Sequence, residues 1–407
     1  MSIKLLIFLF IIFCSCGRNI NQKTDDNIKV IDLLSEPESE ITNVSDIATD
    51  LVYAPLQTTE NSLIKSITKI ITRVNKIYIR NGYSDILCFD KEGKFLYKLN
   101  KPGRGPGEYN FIRDFDISSD NKILTVISDG NLVVYNNTGT EFIFDKSINL
   151  MHLFQSNSQP ISKISMIPGT NNILLSIDPF TGSEQFLSIL INIDGDSLYF
   201  KPNHYMYEKT DVLMQMINES LQYNFENKVC FKEEFSDTVF FVNRETNEFQ
   251  PRLIFDSHYQ GASPRLRYDK EYGRSHFAEV YWVYLIIETP RYIIYTYEHN
   301  KTGYKMLYDK SANKKFKLNE WNYYNDVASK NALKDDINGG PAFDPDFCSE
   351  NIIYSYVDAL TLKTYVASDA FKNAQVKDPK KKNELKKLAD SLNETDNPVL
   401  ILVTPKE

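Results

Sequence analysis

Short strand patterns separated by turn residues recur along most of this chain. Between residues 111 and 144, four such runs are separated by Ser119-Asp120-Asn121, Asp129-Gly130 and Asn136-Asn137-Thr138-Gly139. Asn, Asp, Ser and Gly favour turns, and aromatic and β-branched residues favour the strands between them. Four strands within about forty residues is the length of one propeller blade. This repeat constrains the fold more than any other feature of the sequence.

The same rhythm gives six sets of predicted strands. They are 76–80, 86–90 and 95–99; 111–118, 122–128, 132–136 and 141–144; 161–167, 173–178, 186–192 and 197–200; 220–225, 228–232, 238–243 and 249–255; 279–287, 291–297, 304–309 and 314–318; and 352–358 with 399–403. We therefore predict an all-β fold, a six-bladed β-propeller with four-stranded antiparallel blades, over residues 45–407. Closure of the ring removes exposed sheet edges. It also predicts that strand 399–403 pairs with an N-terminal segment around residues 51–55.

The segment from Lys101 to Tyr109 holds three glycines and two prolines, which no strand or helix interior accommodates. We interpret it as a shaped loop between two blades. It lacks the Gly-Lys-Ser/Thr ending of a phosphate-binding loop, and Pro102 and Pro106 remove amide donors that a phosphate would need. Arg104 and Glu108 in this loop are candidates for lining one propeller face.

Residues 378–393 are predicted to form a short helix inserted in the last blade. Asp378 can cap it, Pro379 suits its first position, and Leu385, Leu388 and Leu392 fall on one stripe. Its lysine-rich side is interpreted as a solvated face rather than a membrane or nucleic-acid surface. The formal net charge of −8 also argues against nucleic acid as a partner.

The N-terminus is typical of a targeting segment. Residues 1–15 carry a positive charge at Lys4 and then an apolar run too short to span a bilayer. Cys16, preceded by a small residue and followed by Gly17, is the predicted lipidation site of a lipoprotein. The alternatives are lipidation at Cys14, or an ordinary secretory signal with two incidental cysteines. Residues 16–44 are predicted to be a polar tether, in which residues 28–34 are the one part that could form a strand.

Three further cysteines, Cys88, Cys230 and Cys348, lie in or beside apolar strand patterns. An exported protein can form a disulfide between two of them. Buried free thiols are the favoured interpretation, since their number is odd and they lie far apart in sequence.

The chain resembles the six-bladed β-propeller lipoproteins of Bacteroidetes, a largely uncharacterised group related to NHL-type propellers. The segments that carry the resemblance are Gly103 to Tyr109 with Phe115-Asp116-Ile117, Ser236 to Phe240 with Pro251-Arg252, Gly339 to Phe343, and Asn397 to Leu400. The resemblance implies a propeller fold and an outer-membrane lipoprotein that faces the periplasm or the cell surface. It implies no catalytic residues.

Carboxylates supply the one candidate metal site. Some six-bladed propellers hold Ca²⁺ in a central channel for hydrolysis, and Ca²⁺ prefers oxygen ligands. Asp114 and Asp116, near the first strand of the second blade, and Asp344 and Asp346, near the first strand of the last, are candidate channel residues. The simpler interpretation of Asp344-Pro345-Asp346 is a turn. The five histidines form no HExxH motif, and the Gly-x-Ser-x-Gly motif of a serine hydrolase is absent from the sequence.

The function predicted from these features is a membrane-anchored, exported binding or scaffold module for a protein or glycan ligand. A calcium-dependent, lactonase-like hydrolase with its metal in the central channel is the alternative. Identification of the ligand, and the choice between the two, require the arrangement of the side chains around the channel.

Overall fold

The computed structural model describes residues 28–154, 161–179, 182–208, 220–322 and 332–407. These residues form six sheets arranged as the blades of one closed β-propeller. Three strands lie ahead of the first blade: β1 (Lys29–Asp32), β2 (Ser39–Glu40) and β3 (Ala48–Pro55).

Blades 1 to 5 each use four consecutive strands. Blade 1 contains β4 (Ile67–Arg73), β5 (Lys76–Asn81), β6 (Asp85–Asp90) and β7 (Phe95–Leu99). Blade 2 contains β8 (Asp114–Ile117), β9 (Ile123–Ser128), β10 (Asn131–Asn137) and β11 (Phe142–Asn149). Blade 3 contains β12 (Ile161–Met166), β13 (Asn172–Ile177), β14 (Phe186–Asn192) and β15 (Ser197–Pro202). Blade 4 contains β16 (Leu221–Phe225), β17 (Lys228–Lys232), β18 (Thr238–Val242) and β19 (Phe249–Asp256). Blade 5 contains β20 (Trp282–Glu288), β21 (Tyr292–His299), β22 (Thr302–Asp309) and β23 (Lys314–Asn322).

Blade 6 closes the ring with strands from both ends of the chain. Its order is β24 (Phe347–Ser349), β25 (Ile352–Val357), β26 (Val399–Pro405) and then β3. In the antiparallel register, Val399 lies opposite Pro55 and Val403 opposite Leu51. The predicted six blades and the predicted closing pair are therefore confirmed.

The core lies between neighbouring blades rather than within any one of them. Each of six apolar clusters joins the facing sheets of two adjacent blades, and the pair between blades 6 and 1 completes the circle. In the cluster between blades 1 and 2, Tyr78, Phe115 and Tyr135 are fully buried. Many of the Tyr and Phe side chains of this chain lie in these clusters, because large aromatic rings fill the wedge-shaped space between twisted sheets.

The N-terminal segment 28–44, here called the strap, runs along the outer edges of two blades. Strand β1 pairs in parallel with β19 of blade 4, and β2 pairs in parallel with β23 of blade 5. Its Ile31 and Leu33 side chains are buried in the apolar cluster between blades 4 and 5. The predicted strand within residues 28–34 is thus confirmed. The strap covers the exposed edges of blades 4 and 5, which would otherwise present unpaired backbone groups.

The described residues contain six α-helices: α1 (Val44–Ile47), α2 (Arg265–Tyr268), α3 (Lys270–His276), α4 (Ala359–Ala367), α5 (Asp369–Asn373) and α6 (Pro379–Ser391). Helix α6 is the predicted helix, and it lies with α4 and α5 between β25 and β26. The Asp378 carboxylate accepts hydrogen bonds from the amides of Lys380 and Lys381, at 3.0 and 3.1 Å. Leu385 is buried in the core, so the predicted cap and apolar stripe are both present.

The connections divide between two faces of the propeller. One face, here called the hairpin face, carries the connections of two to six residues between consecutive strands of a blade, together with α1 at the start of β3. The opposite face, here called the loop face, carries the connections between blades and those between the second and third strands. The long connections 203–220, 257–281, 323–346 and 358–398 begin and end at this face. The last two also extend along the outside of blade 6, where Lys334 hydrogen-bonds with Thr42 and Val44, and Lys377 with Ser45.

The glycine-rich loop joins blades 1 and 2 on the loop face, as predicted. The Gly103 amide donates to the Tyr109 carbonyl at 3.0 Å, and the Tyr109 hydroxyl donates to the Leu99 carbonyl at 3.2 Å. Gly107 has φ +74°, and a Cβ there would lie 2.5 Å from the Phe144 ring. A side chain at this position would therefore be strained and would also clash.

Cys88, Cys230 and Cys348 are all free thiols, as favoured from the sequence. Burial raises the pKa of Cys88 to about 11 and that of Cys230 to about 12, so both stay protonated at neutral pH. Among the described residues, no helix has both the length and the apolar character required to cross a membrane.

Candidate functional site: the central channel

The inner strands of all six blades surround a cavity of about 230 Å³ on the propeller axis. This volume far exceeds the roughly 10–15 Å³ that one water needs. Because side chains alternate along a strand, each inner strand sends every second residue toward the axis. The wall carries both charges and amides, so it is a polar site inside an otherwise apolar ring.

Asp114 on β8 is the centre of the charged wall toward the loop face. Lys69 Nζ contacts its two carboxylate oxygens at 2.9 and 3.0 Å, and the Ile164 amide donates to Oδ2 at 2.9 Å. Arg80 lies beside Lys69 in the β4–β5 register, with Nη1 3.7 Å from the same carboxylate. The predicted placement of Asp114 on the inner strand of blade 2 is therefore correct, and its oxygens are already occupied by donors.

Asp116 lies one alternation further along β8, toward the hairpin face. The amides of Ile117 and Met166 each donate to it at 2.7 Å. Arg73 Nη2 lies 3.8 Å away, while its Nη1 donates to the Thr72 carbonyl at 2.8 Å. Arg73 and Asp116 form a neutral pair deep in the channel.

Lys163 and Gln222 extend the wall across blades 3 and 4. Lys163 lies opposite Ser176 in the β12–β13 register, and Gln222 Nε2 donates to the Ser176 hydroxyl at 2.7 Å. Asp178, which is buried, acts electrostatically on Lys163. We call the loop-face end of this wall the upper ring; its members are Lys69, Arg80, Asp114, Lys163, Asp178 and Gln222.

Burial and charge act in opposite directions on these groups. Burial disfavours the charged form of Asp114, but Lys69 and Arg80 outweigh it and hold the pKa of Asp114 below its ordinary value. For Asp116 burial dominates over Arg73, so the pKa of Asp116 is raised. Burial lowers the pKa of Lys163, and Asp114 opposes that effect. Burial therefore acts against the charged form of Asp114, Asp116 and Lys163 alike.

The opposite wall is closed by a compact ion cluster around Glu288, at the end of β20. Arg252 Nη2 and Lys310 Nζ contact the same carboxylate oxygen at 2.7 and 3.0 Å, and the Tyr223 hydroxyl donates to the other oxygen at 2.9 Å. The Glu288 side chain is completely buried. Both oxygens of this carboxylate are therefore engaged by the protein itself.

Asp344 and Asp346 lie just before β24, the inner strand of blade 6, as predicted. Lys305, itself buried, donates to Asp344 at 2.6 Å and lies 3.9 Å from Asp346. The Ser355 hydroxyl also donates to Asp346 at 3.0 Å. Asp346 lines the cavity, and burial raises the pKa of its carboxyl. Asp344 and Asp346 therefore share Lys305 as their cationic neighbour, and they are not grouped with Asp114 and Asp116.

Arg104 and Glu108 lie outside the channel. Both are exposed in the loop between β7 and β8, on the rim of the loop face. Glu108 Oε2 accepts a hydrogen bond from the Gly105 amide at 2.8 Å, so it braces its own loop. Cys16 and the segment 1–15 lie outside the described residues.

The candidate carboxylates do not fit a calcium site. Ca²⁺ takes six to eight oxygen ligands, and the oxygens of Asp114 are held by a lysine and an amide instead. Asp116 accepts two amide hydrogen bonds next to Arg73, and Asp344 is paired with Lys305. Within the described ranges, no group of three or more His, Cys, Asp or Glu side chains could hold a metal ion. A divalent cation would have to displace these existing positive neighbours.

Three cations of the upper ring, Lys69, Arg80 and Lys163, did not emerge as site residues from the sequence, and the strand β4 that carries Lys69 was not predicted. The available signal was a charged residue inside an apolar strand pattern, as in Ile161–Met166. A charge at such a position must face either a partner or the channel.

Comparisons with solved structures agree with the fold. The chain is similar to a Bacteroides fragilis NCTC 9343 protein inferred to be exported, at 21% identity over 93% of this chain and 100% of that one, with a TM-score of 0.64. It is also similar to a member of the DUF4221 family from Bacteroides vulgatus ATCC 8482, at 12% identity over 88% and 97% of the two chains, with a TM-score of 0.51. Both likenesses concern the fold.

Among curated proteins, none matches the chain. A family described as "Domain of unknown function (DUF4934)" matches residues 28–404. The matched range begins at the strap and ends in the closing strand β26, so it contains all six blades. The chain is therefore a member of the DUF4934 family.

Proposed function

We propose that this protein is an exported, membrane-anchored binding module that captures a protein or glycan ligand on its loop face, over the mouth of the channel. The observation that carries the proposal is the segregation of the long connections to that face. Loops that bind ligands are commonly placed on one side of a rigid scaffold. The hairpin face, with its short turns, offers no comparable surface.

Exposed apolar side chains support the same face. Among the described residues, the large exposed apolar side chains in loop-face connections are Leu63, Tyr83, Met206, Tyr259 and Tyr268, and Leu360 lies in the helical insertion that leaves the same face. The hairpin-face connections that the structure describes contain one, Val74. Exposed aromatic side chains gathered on one side are typical of an interaction surface.

The course of the strap is consistent with an anchored module. Strand β1 runs parallel to β19, which leaves the hairpin face and ends at the loop face. The chain therefore reaches residue 28 from the side of the hairpin face. A lipid at Cys16 would be joined to the strap by eleven residues, which span at most about 40 Å. In this arrangement the loop face points away from the membrane.

The proposal is tested with purified protein on arrays of soluble oligosaccharides and peptides, followed by titration of any ligand found. Tyr83 lies on the loop face with its ring 5.7 Å from the Arg80 guanidinium, and its side chain is exposed. Tyr83→Ala should weaken binding at least tenfold, because truncation of an aromatic contact commonly costs more than about 1.4 kcal/mol.

Val74→Ala on the hairpin face is the matched control, since it also removes an exposed apolar side chain. Its affinity should equal that of the parent protein. A ligand whose affinity falls with Val74→Ala and not with Tyr83→Ala would place the binding surface on the hairpin face and contradict the proposal.

A further inference from the structure

The turn that follows blade 4 on the loop face holds two residues in an unfavourable backbone conformation. His258 has φ +49° and Tyr259 has φ +64°, in the left-handed region that side chains with a Cβ disfavour. The described residues contain five other pairs of consecutive residues with positive φ, and each includes Asn or Gly, which tolerate this region best. These pairs are Val74–Asn75, Asp129–Gly130, Glu226–Asn227, Asn300–Lys301 and Glu350–Asn351. A bulky tyrosine in this conformation is therefore an exception within this chain.

Contacts from the rest of the protein hold this turn in place. The Gln260 amide donates to the Ser257 carbonyl at 3.0 Å and closes the turn. The Ser257 hydroxyl donates to the carboxylate of Asp237, in the β17–β18 connection of blade 4, at 2.5 Å. On the other side, His258 Nε2 lies 3.2 Å from Oδ1 of Asp32 in the strap. The backbone of the turn is thus fixed by both blade 4 and the strap.

The Tyr259 side chain gives the fold nothing in return. It is 106% exposed, and among the described residues it makes no hydrogen bond and no ring contact. Burial of the ring therefore does not offset the strain of its backbone. Strained positions that the surrounding structure maintains are concentrated at functional sites. An aromatic ring on a fixed backbone also loses little conformational freedom when a ligand binds to it.

Hydrogen-bonding groups surround this ring. The side chains of Asp32 and Asp256 are 43% and 42% exposed, and Gln260 is exposed beside Tyr259. Carboxylate and amide oxygens accept hydrogen bonds from hydroxyl groups. A sugar ring presents apolar C–H groups on its faces, which can cover an aromatic ring, and hydroxyls on its edge. The combination of a free aromatic face and nearby acceptors matches both parts of a sugar.

We infer that Tyr259 is a stacking platform for a sugar residue of a glycan, with the sugar hydroxyls donating to Asp32 or Asp256. This inference rests on the proposed function, and it gives the glycan arm of that proposal a second contact on the loop face. Tyr83 lies in blade 1 and Tyr259 follows blade 4, three blades further round the ring. A glycan chain that contacts both tyrosines crosses the mouth of the channel.

The experiment measures the stability and the affinity of the same variants of the full chain. Tyr259→Asn removes the ring and also relieves the strain, because asparagine tolerates positive φ. Its melting temperature should rise by roughly 1–3 °C. Its affinity should fall at least tenfold for whichever soluble glucan, mannan or xylan chains bind the parent protein. Tyr259→Trp keeps an aromatic face, so it should retain most of the affinity without a gain in melting temperature.

Tyr268→Asn is the matched control. It removes another exposed loop-face tyrosine, but Tyr268 does not have a positive φ. The melting temperature of this variant should therefore not rise.

An unchanged or lower melting temperature of Tyr259→Asn would show that there is no strain to explain, and it would overturn the inference. Undiminished glycan affinity of this variant, or no binding of these chains to the parent protein at millimolar sugar concentration, would also overturn it. A peptide or protein ligand that is lost in Tyr259→Asn would overturn the saccharide assignment. Binding that depends on Tyr83 but not on Tyr259 would refute this inference while leaving the proposed loop-face function intact.

Discussion

Removal of the closing strand should unfold the whole propeller rather than fray one blade. Truncation after Asn397 deletes β26, which pairs with β25 on one side and β3 on the other. Val399, Leu400, Ile401 and Val403 are each at most 1% exposed. At roughly 1.5–3 kcal/mol per buried side chain, their loss costs about 6–12 kcal/mol. That is comparable to the roughly 5–15 kcal/mol by which a native protein is stable.

The assay is urea denaturation followed by circular dichroism, with size-exclusion chromatography to detect expanded chains. Truncation after Pro405, which removes only the last two residues, is the control and should leave the midpoint nearly unchanged. Ile401→Ala is the milder test: it should lower the free energy of unfolding by about 2–5 kcal/mol in one transition. A truncated chain that keeps the parent midpoint, or loses only the signal of one blade, would refute closure as the source of stability.

Three further predictions follow from the ion pairs and the anchor. Neither calcium nor a chelator should shift the melting temperature, because the channel carboxylates are already paired with protein cations. A bound calcium ion would instead raise the melting temperature by mass action. Asp309 accepts two hydrogen bonds from Arg291 at 2.9 and 3.0 Å, and its pKa is lowered to about 2 despite burial. About 1–2 kcal/mol of the free energy of unfolding should therefore be lost as the pH falls from 4 to 2. The measurement is the urea midpoint of unfolding at a series of acid pH values. Cys16→Ala should release the protein from the membrane fraction into the soluble fraction on cell fractionation.

Each of these three predictions has a result that would contradict it. A calcium-dependent melting shift that disappears in Asp116→Asn would restore the channel-metal hypothesis. An Arg291→Met variant with the same acid titration as the parent would show that this pair does not set the pH dependence. Normal processing and membrane retention of Cys16→Ala would remove the lipoprotein hypothesis.

The strand pattern predicted most of the fold because each blade repeats a local signal. The turn at Asp129-Gly130 is an example: both residues have positive φ, as a tight two-residue connection requires. Helix α6 was predictable from Asp378 and Pro379 because capping is also local. Strand β24 was not predicted, since it has only three residues and its burial depends on the other five blades.

The site was predicted only in part. Asp114 and Asp116 lie on the inner strand of blade 2, and Asp344 and Asp346 lie just before the inner strand of blade 6, but the sequence does not show which cations meet them. Lys69 and Asp114 lie on different blades, and their contact depends on how the sheets pack around the axis. A carboxylate that is paired with a lysine in this way is not available to coordinate a metal ion.

The most direct test of the account is a crystal structure of the protein soaked with a ligand identified on the arrays. We expect the ligand on the loop face, in contact with Tyr83. A ligand bound only on the hairpin face, or a channel containing a metal coordinated by Asp114 and Asp116, would contradict it.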